Sequence, residues 1–127
     1  MAIFLEDLKT YLTGKQFENI FCDVLPEQPD ACIGLFLQNH TVPAINTGTG
    51  TRTIQIQVRD TQANSAYETA FALVPFLDSG EEETQIILAA DRWCIGRPQT
   101  LPHRLSQDES GRVIYTFEIT LWGENKP

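Results

Sequence analysis

TRTIQIQVRD, residues 51–60, and ANSAYETAFALVPFL, residues 63–77, change hydrophobic period within two residues of each other. In the first segment Ile54, Ile56 and Val58 alternate with polar residues, which is the period of a strand with one buried face. In the second, apolar residues recur at helical spacing, in a stripe of Ala63, Ala66, Tyr67, Ala70, Val74 and Leu77. Because a strand and a helix adjacent in the chain can bury these faces against each other, the sequence predicts an α+β fold.

Signals on either side of this pair predict the remaining elements. A stripe of Ile3, Phe4, Leu8, Tyr11 and Leu12 predicts a first helix that ends at Gly14. Further strands are predicted at 20–24, 31–38, 86–96 and 112–122, with a polar loop at 39–50 and a proline-containing loop at 97–111. The predicted order is α-β-β-β-α-β-β, a mixed or antiparallel sheet of four to five strands with two helices packed on one face, in a single domain over residues 1–127.

Charge and composition exclude several classes of function. The 127 residues carry a formal net charge of −8, and the basic residues are scattered, so we expect no sequence-specific binding of nucleic acid. The N-terminal segment has acidic residues and no basic region before its apolar stretch, and no segment reaches the length of a membrane span. We therefore expect no signal peptide, no membrane partner and synthesis in the cytosol.

The residues that carry chemistry show no catalytic pattern. Cys22, Cys32 and Cys94 fit no zinc-ligand spacing, and burial as reduced thiols is the simpler interpretation. TGTGT at 47–51 lacks the lysine and the following helix of a phosphate-binding loop. The run of glutamates at 81–83 is typical of a solvated turn. We predict no catalytic residue, cofactor or metal site; an alternative hydrolytic site would need these glutamates together with Asp91 and His103.

Arginine and tryptophan side chains are the more informative surface features. Alternation places Arg59 on the outward face of its strand, whereas Arg52 shares the parity of the apolar residues and is expected at the strand's start, within reach of a neighbour. Trp93 shares a face with Ile87, Ala89 and Ile95, and Trp122 ends the last strand. Arginine and tryptophan are enriched where proteins bury surface against partners. The alternative, that both tryptophans are core or sheet-edge residues, stays open.

Three segments carry a resemblance to a known family: IQIQVRD at 54–60, YETAFALVPFL at 67–77 and DRWCIGRPQTLPHRLSQDESGRVIYTFEITLW at 91–122. Together with the N-terminal helix they resemble the tail-terminator and tail-completion proteins of long-tailed bacteriophages, including the family often labelled phage minor capsid protein. In that family a strand with an outward arginine, an alanine-rich helix and an aromatic strand opened by a Gly–Arg turn recur in this order. Pro75 departs from the pattern, because proline is not expected within the helix.

The resemblance implies a structural protein without enzyme activity. Such a protein forms a ring, usually a hexamer, that caps the tail tube and joins it to the head connector in the virion. Its partners would be further copies of itself, the tail tube protein and the head–tail connector proteins, and DNA would pass through the ring without sticking. Another phage neck or minor capsid component is the first alternative, and a small ligand-binding or hydrolytic protein is the second.

On this interpretation, exposed residues next to regular strands supply the contacts between subunits or with the tube. The polar loop at 39–50 is expected to order on assembly. The predicted assembly contacts are Arg52, Arg59, Asn46, Thr47, Thr49, Arg92 and Trp93.

Overall fold

The computed structural model describes residues 2–40, 49–89 and 92–124. Within those ranges the elements in chain order are α1 (Ala2–Gly14), β1 (Ile20–Cys22), β2 (Cys32–His40), β3 (Thr49–Asp60), α2 (Ala63–Leu77), β4 (Ile86–Ala89), β5 (Arg92–Pro98), β6 (His103–Gln107) and β7 (Val113–Glu124). The α+β class and the mixed sheet are confirmed. The strand count and order are wrong, since seven described strands follow the order α-β-β-β-α-β-β-β-β.

Two of the extra strands come from segments that the sequence analysis assigned differently. The single strand predicted at 86–96 is an antiparallel hairpin, in which Ile87 of β4 lies opposite Trp93 of β5. The predicted loop at 97–111 contains β6, which follows β5 along the same edge of β7. The two prolines lie at the break between these strands: Pro98 is the last residue of β5, and Pro102 directly precedes β6. Pairing with β7 therefore stops at the prolines and resumes after them. Between them the chain stays attached through a bond from the backbone N–H of Gln99 to the carbonyl of Glu118 (2.7 Å).

The two ends of the predicted polar loop at 39–50 are strand and not loop. β2 continues to His40, and β3 already begins at Thr49. Residues 41–48 lie outside the described residues. β3 and β7 pair over their full length, from Thr49 opposite Glu124 to Asp60 opposite Val113, and form the centre of the sheet.

The sheet is curled, and α1 lies between its two ends. The strand order is β1-β2-β3-β7-β5-β4, with β6 also paired to β7. Although β1 and β4 are the first and last strands of this order, α1 packs against both of them, which requires the sheet to curl. Leu5, Leu8 and Leu12 of α1 are fully buried in the resulting core. The helix thereby fills the gap between the sheet's edges.

Helix α2 covers the concave side of the central strands. Its buried stripe is Ala66, Ala70, Leu73 and Leu77, and it packs against β3, β5 and β7. Alanine at two of these positions lets the helix approach the sheet closely. Tyr67, predicted to belong to the stripe, is instead exposed, and its ring packs on Phe71 and Tyr115 at ring-centroid distances of 4.6 and 5.8 Å. The helix continues through Pro75 to Leu77.

Truncating a buried leucine of α1 should destabilise the protein strongly. We expect Leu8→Ala to lower the free energy of unfolding by about 2–5 kcal/mol, because it leaves a cavity where the helix meets the sheet. Thr10→Ala, on the exposed side of the same helix, should change it by less than about 1 kcal/mol. Urea denaturation followed by circular dichroism measures both values. Equal effects of the two substitutions would contradict the role assigned to α1.

Candidate interaction surface

The face of the sheet that the helices leave uncovered, here called the outer face, is divided into two unlike halves. Residues 26–30, here called the strap, lie over one half and are held there by two arginines. The strap lies between β1 and β2 in the chain. The other half of the outer face carries exposed aromatic and aliphatic residues.

Arg59 holds the strap through its main chain. Its Nε donates to the carbonyl oxygen of Asp30 (3.0 Å), and its Nη2 donates to those of Pro26 and Pro29 (2.8 Å for Pro29). With these bonds the side chain is only 4% exposed. A guanidinium group has five N–H donors in a fixed fork, which suits several carbonyls of one turn at once.

Arg112 also holds the strap and ties it to the turn before β7. Its Nη1 donates to the carbonyl oxygen of Glu27 and to Oδ1 of Asp30 (3.2 Å), and its Nε donates to Oδ2 of Asp108 (2.7 Å). Burial alone would raise the pKa of the Asp108 carboxyl group, but hydrogen bonds from Arg112, together with its charge, lower that pKa below the ordinary value. The Arg112 side chain is therefore a buried junction of strap and hairpin.

These contacts correct two expectations from the sequence. Arg59 was expected to be exposed and to contact another subunit, but the strap covers it, and its described bonds are all within the chain. Arg52 was expected at the start of its strand, but β3 begins three residues earlier and Arg52 is 5% exposed on the core face, opposite Leu121. The exposure on which the predicted contact of Arg59 depended is therefore absent. Alternation along a strand could not reveal a segment lying over the outer face.

The uncovered half of the outer face carries a cluster here called the aromatic patch: Ile87, Trp93, Ile95 and Trp122. These residues are neighbours across β4, β5 and β7, since Ile87 lies opposite Trp93 and Ile95 opposite Trp122. The tryptophan rings contact each other at a centroid distance of 5.5 Å. Ile87 is 56% and Trp122 41% exposed. The predicted face shared by Trp93, Ile87 and Ile95 is confirmed, and sequence reasoning missed that Trp122 joins it.

The remaining predicted contact residues lie around the aromatic patch or outside the described residues. Thr49 and Arg92 begin β3 and β5, opposite Glu124 and Ala89 respectively. Asn46 and Thr47 lie outside the described residues. Of the seven predicted contacts, Trp93 alone is a described side chain within the patch.

The residues of the alternative hydrolytic site are not brought together in the described structure. Glu83 pairs with Arg97 at 3.5 Å, whereas the His103 ring shares a hydrogen bond with the carbonyl of Leu101 (2.9 Å). A groove of about 440 Å³ lies beside α2 and one of about 560 Å³ beside α1, and neither is lined by these residues. Glu83 lines a smaller groove of about 180 Å³, but His103 does not. Asp91 lies outside the described residues.

The three thiols are held in their protonated form. Burial raises the pKa of Cys94 to about 12 and that of Cys22 to about 11, and it also raises the pKa of Cys32. Nucleophilic cysteines need the thiolate near neutral pH, so these side chains are suited to packing. Among the described residues there is no cluster of histidine, cysteine and carboxylate that could hold a metal ion. Neither described helix has the length and apolar character to cross a membrane.

Comparison with known proteins identifies a family. A family model described as bacteriophage tail terminator protein matches residues 4–125, which is nearly the whole chain. A search among curated proteins finds no match. The resemblance drawn from the strand, helix and final hairpin is thereby confirmed.

Replacing Arg59 should destabilise the protein and loosen the strap. We expect Arg59→Gln to lower the free energy of unfolding by about 2–4 kcal/mol, because several buried carbonyls lose a charged donor. In the same variant Cys32, which is buried beside Arg59, should react faster with a thiol reagent under native conditions. Arg97→Gln is the matched control, since its exposed ion pair contributes at most about 1 kcal/mol. Unchanged stability and thiol reactivity in Arg59→Gln would show that the strap does not depend on it.

The ion pair between Asp108 and Arg112 should make stability depend on acid pH. The pKa of the Asp108 carboxyl group is lower in the folded state than its unfolded value of about 3.9, so its contribution is complete above that value and is lost as pH falls toward the folded pKa. Asp108→Asn should therefore differ most from wild type near neutral pH and converge with it in acid. Urea unfolding between neutral pH and about pH 2.5 measures this. Glu109→Gln, at the exposed neighbouring residue, is the control, and a difference independent of pH would contradict the assignment.

Proposed function

Because the chain belongs to the bacteriophage tail terminator family, we propose that it forms a ring that caps the head-proximal end of the tail tube and joins it to the head connector. As a member of this family it is a structural protein of the phage tail. We further propose that the ring is a homo-oligomer located at the neck of the virion, with the six subunits that the resemblance implies. The observation that supports contact with the tube is the aromatic patch on the uncovered half of the outer face.

The size of the aromatic patch favours a ring over a single subunit as the capping unit. Specific, stable interfaces bury roughly 800 Å² on each partner, contributed by some 20–30 residues. The aromatic patch has four residues, far fewer than about 20–30, and two of them are already half-buried within the subunit. A closed ring presents one patch from every subunit, so weak single contacts add up once the first has formed. We propose that the tail tube protein binds the two tryptophans of this patch, Trp93 and Trp122, as its anchors.

Charge supports a ring through which DNA passes without being held. The formal net charge is −8, with nine basic and seventeen acidic residues. Among the described residues, three basic side chains, those of Arg52, Arg59 and Arg112, are buried in the subunit. A phosphate backbone would therefore meet few exposed cations and many carboxylates.

A second candidate within the same class is a neck component that stays monomeric until it docks. The mass of the purified protein separates the two, measured by light scattering over a wide concentration range and followed by electron microscopy. Closed rings with a central hole would support the terminator function. A monomer at every concentration would favour the neck component.

Substituting a tryptophan of the patch should impair capping without unfolding the subunit. We expect Trp122→Gln to weaken binding to purified tail tubes by roughly tenfold or more, as at other interface anchors. The same substitution should lower the free energy of unfolding by only about 0.5–1.5 kcal/mol, the contribution of one aromatic pair, because Trp122 loses its contact with the Trp93 ring. Cosedimentation with tubes measures binding, and tube length in electron micrographs measures capping.

Val24→Gln provides the matched control, because Val24 is a 47% exposed aliphatic residue outside the patch. It should bind tubes as wild type does. If both substitutions weaken binding equally, the patch is not the docking surface. If neither does, the tube binds elsewhere on the protein.

A further inference from the structure

Among the described strands, β1, β4 and β6 each pair on one side only, and the edges of β4 and β6 leave backbone groups without a strand partner. β4 pairs with β5, and β6 pairs with β7. On β4, the backbone N–H and carbonyl groups that point away from β5 are those of Ile87. Gly96 of β5 points its N–H and carbonyl away from β7, because both are bonded to Ser79. By alternation Cys94 faces β4 and pairs with Ile86, which leaves the N–H and carbonyl of Ile87 directed outward.

The same reasoning identifies the open groups of β6. The carbonyl of Glu118 points toward this side of β7, since it accepts from the N–H of Gln99. By alternation Thr116 and Ile114 face β6, where they lie opposite His103 and Ser106. Residues Arg104 and Gln107 therefore direct their backbone groups outward, away from β7.

The side chains along the two edges are complementary in charge. β4 follows a turn that contains Glu81, Glu82 and Glu83, all exposed. Glu83 is paired with Arg97, whereas no ion pair within the described structure engages Glu81 or Glu82. The sequence of β6 is HRLSQ, with one arginine and no carboxylate. The guanidinium of Arg104 bonds the Gln107 side chain at 3.4 Å and has no carboxylate partner among the described residues.

The two edges are also complementary in apolar surface. Ile87 on β4 is 56% exposed, and Leu105 on β6 is 49% exposed. Both strands are short and contain an irregularity in register, between Ile87 and Ala89 and between Arg104 and Ser106. Short, bulged edges resist unselective strand pairing, so a specific partner has to match them in side chains as well.

We propose that the β4 edge of one copy pairs with the β6 edge of the next copy. This contact rests on the proposed ring and specifies how neighbouring subunits meet. In this contact the acidic turn before β4 meets Arg104, and Ile87 meets Leu105. The backbone N–H and carbonyl groups that point outward from β4 bond with those that point outward from β6. Because the two surfaces differ, the contact is head-to-tail, and each copy uses both edges once when the ring closes.

Charge reversal tests the contact in both directions. Arg104→Glu makes both edges acidic, and the pair Glu81→Lys with Glu82→Lys makes both edges basic, so neither variant should assemble with itself. We expect the concentration for half-assembly to rise at least about tenfold in each, since like charges oppose each other across the contact. An equimolar mixture should assemble again, in rings that alternate the two variants. Light scattering and electron microscopy report assembly, and thermal unfolding confirms that each variant is folded.

Glu68→Lys is the matched control, because it reverses an exposed charge on α2, away from both edges. It should assemble as wild type does. Rings of Arg104→Glu that form at the wild-type concentration would overturn the β4–β6 contact and leave the ring itself intact. Reversal variants that stay apart in the mixture would also overturn it. A wild-type protein that remains monomeric would overturn both this contact and the proposed ring.

Discussion

The fold depends on α1 filling the gap between the two ends of a curled sheet. A flat sheet of this strand order would keep β1 and β4 far apart, yet both pack against the same helix. The three leucines that make this possible are fully buried, and they belong to the same core as the central strands β3 and β7. Curling also turns the uncovered side of the sheet outward as one convex face. The surface available for partners is therefore set by how the core is closed.

That outer face is divided because two arginines are satisfied within the chain. Arg59 and Arg112 both donate to carbonyl oxygens of the strap, and Arg112 is bonded to carboxylates as well. Burying a guanidinium group is favourable only when its donors are bonded, and a turn with several free carbonyls provides that. One half of the face is consequently covered by main chain, and the other half retains the tryptophans. The same bonds that stabilise the subunit thus limit where a partner can bind.

Sequence reasoning succeeded where the determinants are local. Period-2 alternation identified the buried faces of β3 and β7, because each side chain's direction follows from its position in the strand. It failed for Arg59, whose partners lie about 30 residues earlier in the chain, since no local pattern indicates a segment crossing the outer face. It failed again at β6, where Pro102 suggested a loop. The proline only separates β5 from β6, and both strands pair with β7. The meeting of Trp93 with Trp122 likewise depends on the pairing of β5 with β7.

The acidic balance of the chain bears on specificity as well as solubility. Two copies with a formal net charge of −8 repel each other in most orientations, so random association is disfavoured. In the part of the chain that the structure describes, three basic side chains are buried, which leaves fewer positions where one copy can attract another. Among the described edge strands β1, β4 and β6, only β6 carries a basic residue. Repulsion between acidic surfaces then disfavours most relative orientations of two copies. A short contact at a basic position can therefore specify one arrangement without a large apolar interface.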